Sequence, residues 1–251
     1  MSKTASGRVS LARALSKLGV CSRAQARAWV EAGRVAVDGR RVTDPDRRVD
    51  PDRDRISVDG RPVDRAEPIY FMMHKPKDVV TTRSDERGRR TIYDVLAAVD
   101  SRGADPGWVF PVGRLDRDSS GLLLLTNDTR WGARLAAPDS HVPKVYHVRV
   151  TPPIVPEDLA RLAGSVPLAD GPSAPVEVAV VRSSTRGTWL ELTLTEGRNR
   201  QIRRMCARLG YRVETLVRIR IGGVALGELK PGEVRRLTER EVAALRSRPG
   251  C

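Results

Sequence analysis

The residues best suited to chemistry lie in Gly113-Arg114-Leu115-Asp116-Arg117-Asp118-Ser119-Ser120-Gly121, which runs into the apolar stretch 122–125 and on to Thr126-Asn127-Asp128. An aspartate that follows a hydrophobic approach and precedes a glycine-started strand can project its carboxylate from a loop at a sheet edge. Arg114 and Arg117 flank Asp116, and an opposite charge within ~4–6 Å lowers a carboxyl pKa by ~1–3 and keeps the group ionised. Such a carboxylate can serve as nucleophile or general base. Asp116 and Asp118 also fit a turn closed by salt bridges, and residue types alone leave both readings open. Metal chemistry is not expected. His74, His141 and His147 fall in no H-x-E or HExxH arrangement, and Cys21, Cys206 and Cys251 are far apart without CxxC spacing. Three free thiols in a reducing compartment are the expected state.

The elements that must position Asp116 can be read from hydrophobic pattern. Strands are expected at 69–73, 109–112, 122–125, 145–150, 176–181 and 189–195, and helices at 92–99, 131–137, 156–162, 198–209 and 239–245. Mixed elements without strict βαβ alternation predict an α+β fold, with a largely antiparallel mixed sheet and flanking helices. Ahead of this lies a smaller region. Leu11, Ala14, Leu15 and Leu18 recur at helical spacing, with Ser10 as the expected cap and Gly19 as the stop; Ser22 opens a second helix that ends near Gly33. Val35 and Val37 then lead to Asp38-Gly39, and Ile56 and Val58 to Asp59-Gly60. Both dipeptides are strong hairpin-turn signals. The polar stretch 63–68, ending in Pro68, places a boundary near residue 66, with a small α/β domain at 9–65 and a larger one at 68–245.

Charge points to a polyanionic partner. The 251 residues hold 45 Lys plus Arg against 31 Asp plus Glu, a formal net charge of +14. Arg8, Arg13, Lys17, Arg23, Arg27, Arg34, Arg40 and Arg41 fall between the core positions of the first region, where they can line a phosphate backbone, as solvated helix faces also do. The beginning of the chain has no continuous apolar segment, and the run 122–125 is far below the ~18 residues that span a bilayer. A cytoplasmic protein without membrane attachment is expected.

The order of residues adds more than charge does. Gly19, Ser22 and Arg23, followed by Glu31, Gly33, Val35, Val37, Asp38 and Gly39, resemble the alpha-L RNA-binding motif of the ribosomal protein S-four superfamily, which implies structured RNA read by shape and backbone. The stretch 113–128 is similar to the hallmark motif of ribosomal RNA pseudouridine synthases of the RsuA-type branch, in which the motif's aspartate, here Asp116, is catalytic. Lys144-Val145-Tyr146 looks like that family's K-x-Y block, whose tyrosine packs on the target base. The segment 196–205, from Glu196 to Met205, looks like its E-G-[RK]-x-x-Q-[IV]-[RK]-R-M block, whose basic residue two after Gln201 pairs with the catalytic aspartate, which implies Arg203. Lys75-Pro76, Leu216 to Gly222 and Leu229 to Gly232 extend the likeness. Asp78 stands where glycine often follows the Lys-Pro pair, and Thr129 where glycine often follows Asn-Asp, which leaves those local turns open.

The resemblance implies isomerisation of uridine in ribosomal RNA, with large-subunit RNA favoured by the R-N-R-Q-I-R-R-M form of the third block. An enzyme acting on a base within structured RNA must flip it out at a cost of a few kcal/mol. Phosphate contacts from Arg114, Arg198, Arg200, Gln201 and Arg204 would offset that cost, while the uracil stacks on Tyr146 for ~1–3 kcal/mol. Asp116 would attack the ribose or the base, or take a ribose proton, with Arg203 orienting it. No cofactor is needed, since the reaction is redox-neutral. The expected partner is ribosomal RNA within a pre-ribosomal particle, and the expected state is a monomer. A non-catalytic ribosome-assembly factor is the competing reading; it has no chemical need of Asp116, Tyr146 and Arg203 together. A methyltransferase would need a glycine-rich nucleotide loop after a strand, which is not found.

Overall fold

The computed structural model describes residues 7–100 and 108–246; Cys251 lies outside them. It divides into two compact units, the first comprising the described residues through Tyr70 with 108–110 and Leu125–Gly132, the second the rest.

In the first unit, β1 (Val9–Ser10), α1 (Leu11–Lys17) and α2 (Arg23–Glu31) precede β2 (Val35–Val37), β3 (Arg40–Val42), β4 (Arg48–Val49), β5 (Ile56–Val58) and β6 (Arg61–Pro62). Leu11, Ala14, Leu15, Ala26 and Val30 from the helices pack with Val35, Val37, Val42 and Ile56. The Ser22 hydroxyl accepts from the Gln25 N–H while the Gln25 side chain accepts from the Ser22 N–H, a reciprocal cap. Ser10 was expected to cap α1 through its side chain and does not; its backbone is instead paired with Arg48 in β1–β4. Asp38 and Gly39 have φ of 50° and 77°, as do Asp59 and Gly60. Positive φ at both central residues is the type I′ requirement, so these dipeptides close hairpins whose twist matches the strands, in the four-stranded order β3-β2-β5-β6. The boundary segment is held by its backbone: the Ala66 N–H donates to Leu18 O at 2.8 Å, and Glu67 O accepts from Asn127 Nδ2 at 2.8 Å.

The remaining elements are β7 (Tyr70–Lys75), α3 (Ile92–Asp100), β8 (Phe110–Pro111), β9 (Ser120–Thr126), α4 (Thr129–Ala136), β10 (Lys144–Thr151), α5 (Pro156–Ala163), β11 (Glu177–Ser184), β12 (Gly187–Leu194), α6 (Gln201–Arg208), β13 (Arg212–Ile221), β14 (Val224–Ala225), β15 (Val234–Arg236) and α7 (Glu239–Arg246). Their strands form a mixed sheet in the order β11-β12-β10-β13-β9-β7-β15, with β14 on β13 and β8 on β9. β10 is antiparallel to both β12 and β13, β11 to β12 and β15 to β7. Leu162 of α5 and Ile202, Met205 and Cys206 of α6 pack with Val148, Val150, Leu190 and Leu192. The fold class is therefore α+β on a largely antiparallel sheet, as the pattern predicted.

Two elements depart from expectation. The ten-residue β13 was not anticipated as a strand; its stretch Val217-Arg218-Ile219-Arg220-Ile221 alternates, but Arg218 is buried while Val217 and Ile219 are half-buried, the reverse of the face that an apolar-in pattern assigns. The helix expected at 198–209 begins only at Gln201, because Arg200 sits in the left-handed region at φ 47° and ends the preceding loop.

The joint between β9 and β13 is parallel. β9 and β13 meet at Val217–Ser120 and Arg218–Gly121. Gly121 has φ 107°, and a Cβ there would overlap the Arg218 carbonyl oxygen and lie 2.6 Å from the Arg218 nitrogen. No side chain fits between the two backbones. Gly121→Ala is expected to lower stability by ~2–4 kcal/mol, the range of strain at a special backbone position added to steric overlap. Gly113→Ala, at φ 75° but with nothing within 4 Å of the added carbon, should lose only the left-handed penalty of ~1–2 kcal/mol. Urea denaturation of both variants checks this, and equal losses would contradict it.

Candidate active site

Asp116 lies in the turn that leads into β9. The Ser119 N–H donates to Asp116 O at 3.1 Å and closes this turn. Both neighbours of Asp116 are anchored to the segment after β7. The Thr81 hydroxyl donates to Leu115 O at 2.8 Å and accepts from the Leu115 N–H at 3.3 Å, and the Asp78 N–H donates to Arg117 O at 2.7 Å. Asp78 has φ 64°, the conformation glycine adopts freely, so the Lys-Pro turn keeps its shape with aspartate in it. At Thr129 the turn is resolved as a helix start: Asp128 Oδ1 accepts from the Arg130 and Trp131 N–H groups at 3.0 Å.

Asp116 and Tyr146 line the same cleft of about 560 Å³, together with Ser119, Lys144, Leu216 and Arg218. Arg114, Arg198, Arg200 and Gln201 also border it. The arginines flanking Asp116 in sequence do not pair with it. Arg114 is exposed, and Arg117 turns to Asp78 at 3.7 Å. Arg200 supplies the ion pair instead, with Nη1 3.7 Å from Asp116 Oδ2 and two hydrogen bonds to the Asp118 carboxylate at 3.1 and 3.0 Å.

Arg203 was expected against Asp116 and is found against Asp118. Its Nη2 donates to Asp118 O at 2.9 Å, its Nε lies 3.2 Å from Asp118 Oδ2, and its Nη1 donates to Val213 O at 3.0 Å. The reason is the turn: closing it over Ser119 brings Asp118 rather than Asp116 towards α6. Burial pushes the Asp118 carboxyl up, but the hydrogen-bonded Arg200 and the charges of Arg203 and Arg200 outweigh it and hold the group below the usual carboxylate range.

The other expected RNA contacts divide in two. Arg8, Arg13 and Arg23 are exposed and Lys17 is half-buried, while Arg27 bridges Glu31 at 2.9 Å and Arg34 forks onto Asp59. Arg204 forks onto Asp170 at 2.7 and 3.1 Å, and Arg198 bonds Glu196 at 3.2 Å and Gly171 O at 2.9 Å. Gln201 is buried at the border of the cleft, its side chain accepting from the Arg198 N–H and donating to Glu196, so it braces the loop before α6.

Two buried cations escaped sequence reading, because hydrophobic pattern assigns charged residues to the surface. Lys75 is fully buried and donates to Pro76 O at 2.8 Å and Val79 O at 2.6 Å. Arg218 is 4% exposed and its Nε donates to Leu122 O at 2.7 Å. Burial drives the Lys75 ammonium down to about 8, against the opposing pull of Asp116, Asp118 and Asp78. Burial also lowers Lys144, and the Arg218 charge adds to the effect. The buried Cys21 and Cys206 thiols are pushed up to about 11 and about 12. Among the described residues no three His, Cys, Asp or Glu side chains come together as a metal-holding group.

Between about pH 8 and 10.5 the unfolded chain holds the Lys75 proton more tightly than the folded one, so raising pH across that window favours the fold. Wild type should gain stability relative to Lys75→Met between pH 7.5 and pH 10, by at most ~3 kcal/mol. Urea midpoints of both proteins at the two pH values read this directly, and a constant difference would contradict it.

The family described as RNA pseudouridylate synthase matches residues 69–208, and the S4 domain matches residues 9–54. An uncharacterized RNA pseudouridine synthase of Mycobacterium tuberculosis is 42% identical, over 94% of this chain and 92% of its own. Ribosomal large subunit pseudouridine synthase B of Bacillus subtilis is 35% identical over 94% and 95%. A crystal structure of a pseudouridylate synthase superposes with a TM-score of 0.66 at 30% identity, covering 94% of this chain and 99% of that one. With identity of this order along nearly the whole chain, the protein belongs to the RNA pseudouridylate synthase family and carries an S4 domain ahead of its catalytic region.

Proposed function

We propose that this enzyme converts uridine to pseudouridine in ribosomal RNA, with the large-subunit RNA as substrate and Asp116 as the nucleophile. The observation that carries the assignment is Asp116 and Tyr146 lining one cleft, of a size to admit a flipped nucleotide. A large-subunit synthase among the relatives supports the choice of RNA. The uracil stacks on Tyr146 while Asp116 acts on the nucleotide; the bond from ribose C1′ to N1 breaks, the base rotates, and a bond from C1′ to C5 forms. The C5 proton leaves and N1 regains one, so atoms and electrons balance without an external reagent.

In this reading residues 9–65 grip RNA and residues 68–245 do the chemistry. Arg8, Arg13, Lys17 and Arg23 contact phosphates directly. Arg200, Arg204 and Arg198 are drawn from their carboxylate partners by phosphate, and Arg114 works at the mouth of the cleft. Arg203 positions Asp116 through the turn it holds at Asp118. The protein acts as a cytoplasmic monomer on a pre-ribosomal particle.

Tritium release from ribosomal RNA labelled at uracil C5, taken from cells lacking the protein, tests the activity. Asp116→Asn should fold and bind RNA as wild type does while releasing at least about 10³-fold less tritium, the order expected when a group needed only in the transition state is removed; release within tenfold of wild type would remove Asp116 as nucleophile. Affinity should fall with added salt with a log–log slope steeper than about −3, as four or more neutralised phosphates require, and a slope shallower than about −1 would contradict broad backbone contact.

A further inference from the structure

The catalytic region holds a guanidinium that the reading above leaves unused. Arg218 faces Tyr146 directly across the β10–β13 pairing and Gly121 across the β9–β13 pairing. Residues opposite each other on paired strands project from the same face, and Arg218, Tyr146 and Lys144 all line the cleft that Asp116 lines. Nε of Arg218 is bound to Leu122 O, whereas Nη2 is buried with no hydrogen-bond partner. A buried donor on a charged group is costly to leave unmade. Its charge is also unanswered: among the described residues, no carboxylate lies within ion-pair distance of Arg218, while Asp118 takes Arg200 and Arg203, and the nearby Lys144 is lowered partly by the Arg218 charge. The floor of the cleft therefore carries fixed positive charge that the free protein does not neutralise.

Breaking the bond between C1′ and N1 leaves the electron pair on N1, and the detached uracil is an anion whose charge spreads to O2 and O4 until C5 bonds to C1′. We propose that Arg218 is a further catalytic residue, which donates from its unpartnered Nη2 to a carbonyl oxygen of the uracil stacked on Tyr146 and stabilises the charge that develops as the base detaches. This rests on the proposed isomerisation and names the group that stabilises the leaving base. A donor placed where charge develops, in a site closed to water, acts on the transition state more than on the bound substrate. The anchoring of Nε on Leu122 O fixes the guanidinium before substrate arrives, so little reorganisation accompanies the chemistry.

The test uses the full-length protein and large-subunit RNA transcribed with either UTP or 5-fluoro-UTP, following single-turnover loss of the N-linked nucleoside at the modified position. Fluorine at C5 acidifies uracil and makes it a better leaving group, so it needs less help. Arg218→Gln should slow the uridine reaction by about 10²–10³-fold with RNA affinity within threefold of wild type, and the defect should shrink at least tenfold on the fluorinated RNA. Arg218→Lys, which keeps the charge without the fork, should fall between the two. A defect of equal size on both RNAs, a rate near wild type, or a loss explained by weaker RNA binding would overturn the role. If Arg218→Gln melts below the assay temperature, Arg218→Lys carries the same two-substrate comparison, since a purely structural role gives equal defects. Wild type is measured in the same series. Its failure on uridine RNA would overturn the proposed substrate, whereas normal turnover by both wild type and Arg218→Gln overturns only the Arg218 assignment.

Discussion

The parallel contact between β9 and β13 is the constraint on which the catalytic region depends. A largely antiparallel set of strands is joined in parallel where Gly121 lies against the backbone of Arg218, and no residue with a Cβ can occupy that place. The consequence is positional. The turn holding Asp116 must enter the sheet beside Arg218, and Arg218 is in register with Tyr146 on the next strand. Carboxylate, guanidinium and aromatic ring are thus brought to one cleft by backbone hydrogen bonding, before any of their side chains interact. Thr81 and Asp78 hold the residues on either side of Asp116, so the turn is fixed from a second direction.

Charge is arranged in two layers around that turn. The outer arginines Arg198, Arg200 and Arg204 are half-exposed or exposed and already paired with Glu196, Asp118 and Asp170. Exposed ion pairs are worth little in water, so exchanging such a carboxylate for a phosphate costs little, and the arginines are kept in place meanwhile. The inner cations, Lys75 and Arg218, are buried and held mainly by backbone carbonyls. A carbonyl satisfies a donor without cancelling its charge, so Arg218 leaves positive charge in the lining of the cleft. That arrangement suits a reaction in which a neutral base leaves as an anion.

Much of the architecture was legible beforehand because short-range signals determine it. The Asp-Gly dipeptides close hairpins since both positions accept positive φ, and the Ser22 cap and the Gly19 and Gly33 stops delimit the first two helices. The strand through 122–125 and the α+β class also follow from pattern. β13 did not, because its buried arginine inverts the face that the alternation at 217–221 assigns to the core. The start of α6 was misplaced because a left-handed arginine, unlike glycine, gives no warning in composition.

The sequence by itself determined which residue types could do the chemistry and in what order they stand: the Asp116 turn, Lys144 and Tyr146, and the arginine-rich block from Glu196. Tertiary structure alone decided which of them meet. It gave Asp116 to Arg200 and Asp118 to Arg203, bound Gln201 to Glu196, buried Lys75, and set the buried Arg218 in the lining of the cleft. The physical reason is range. Turns and caps are settled among residues within four positions of one another, whereas an ion pair between positions 118 and 203 depends on how a sheet and a helix pack around it.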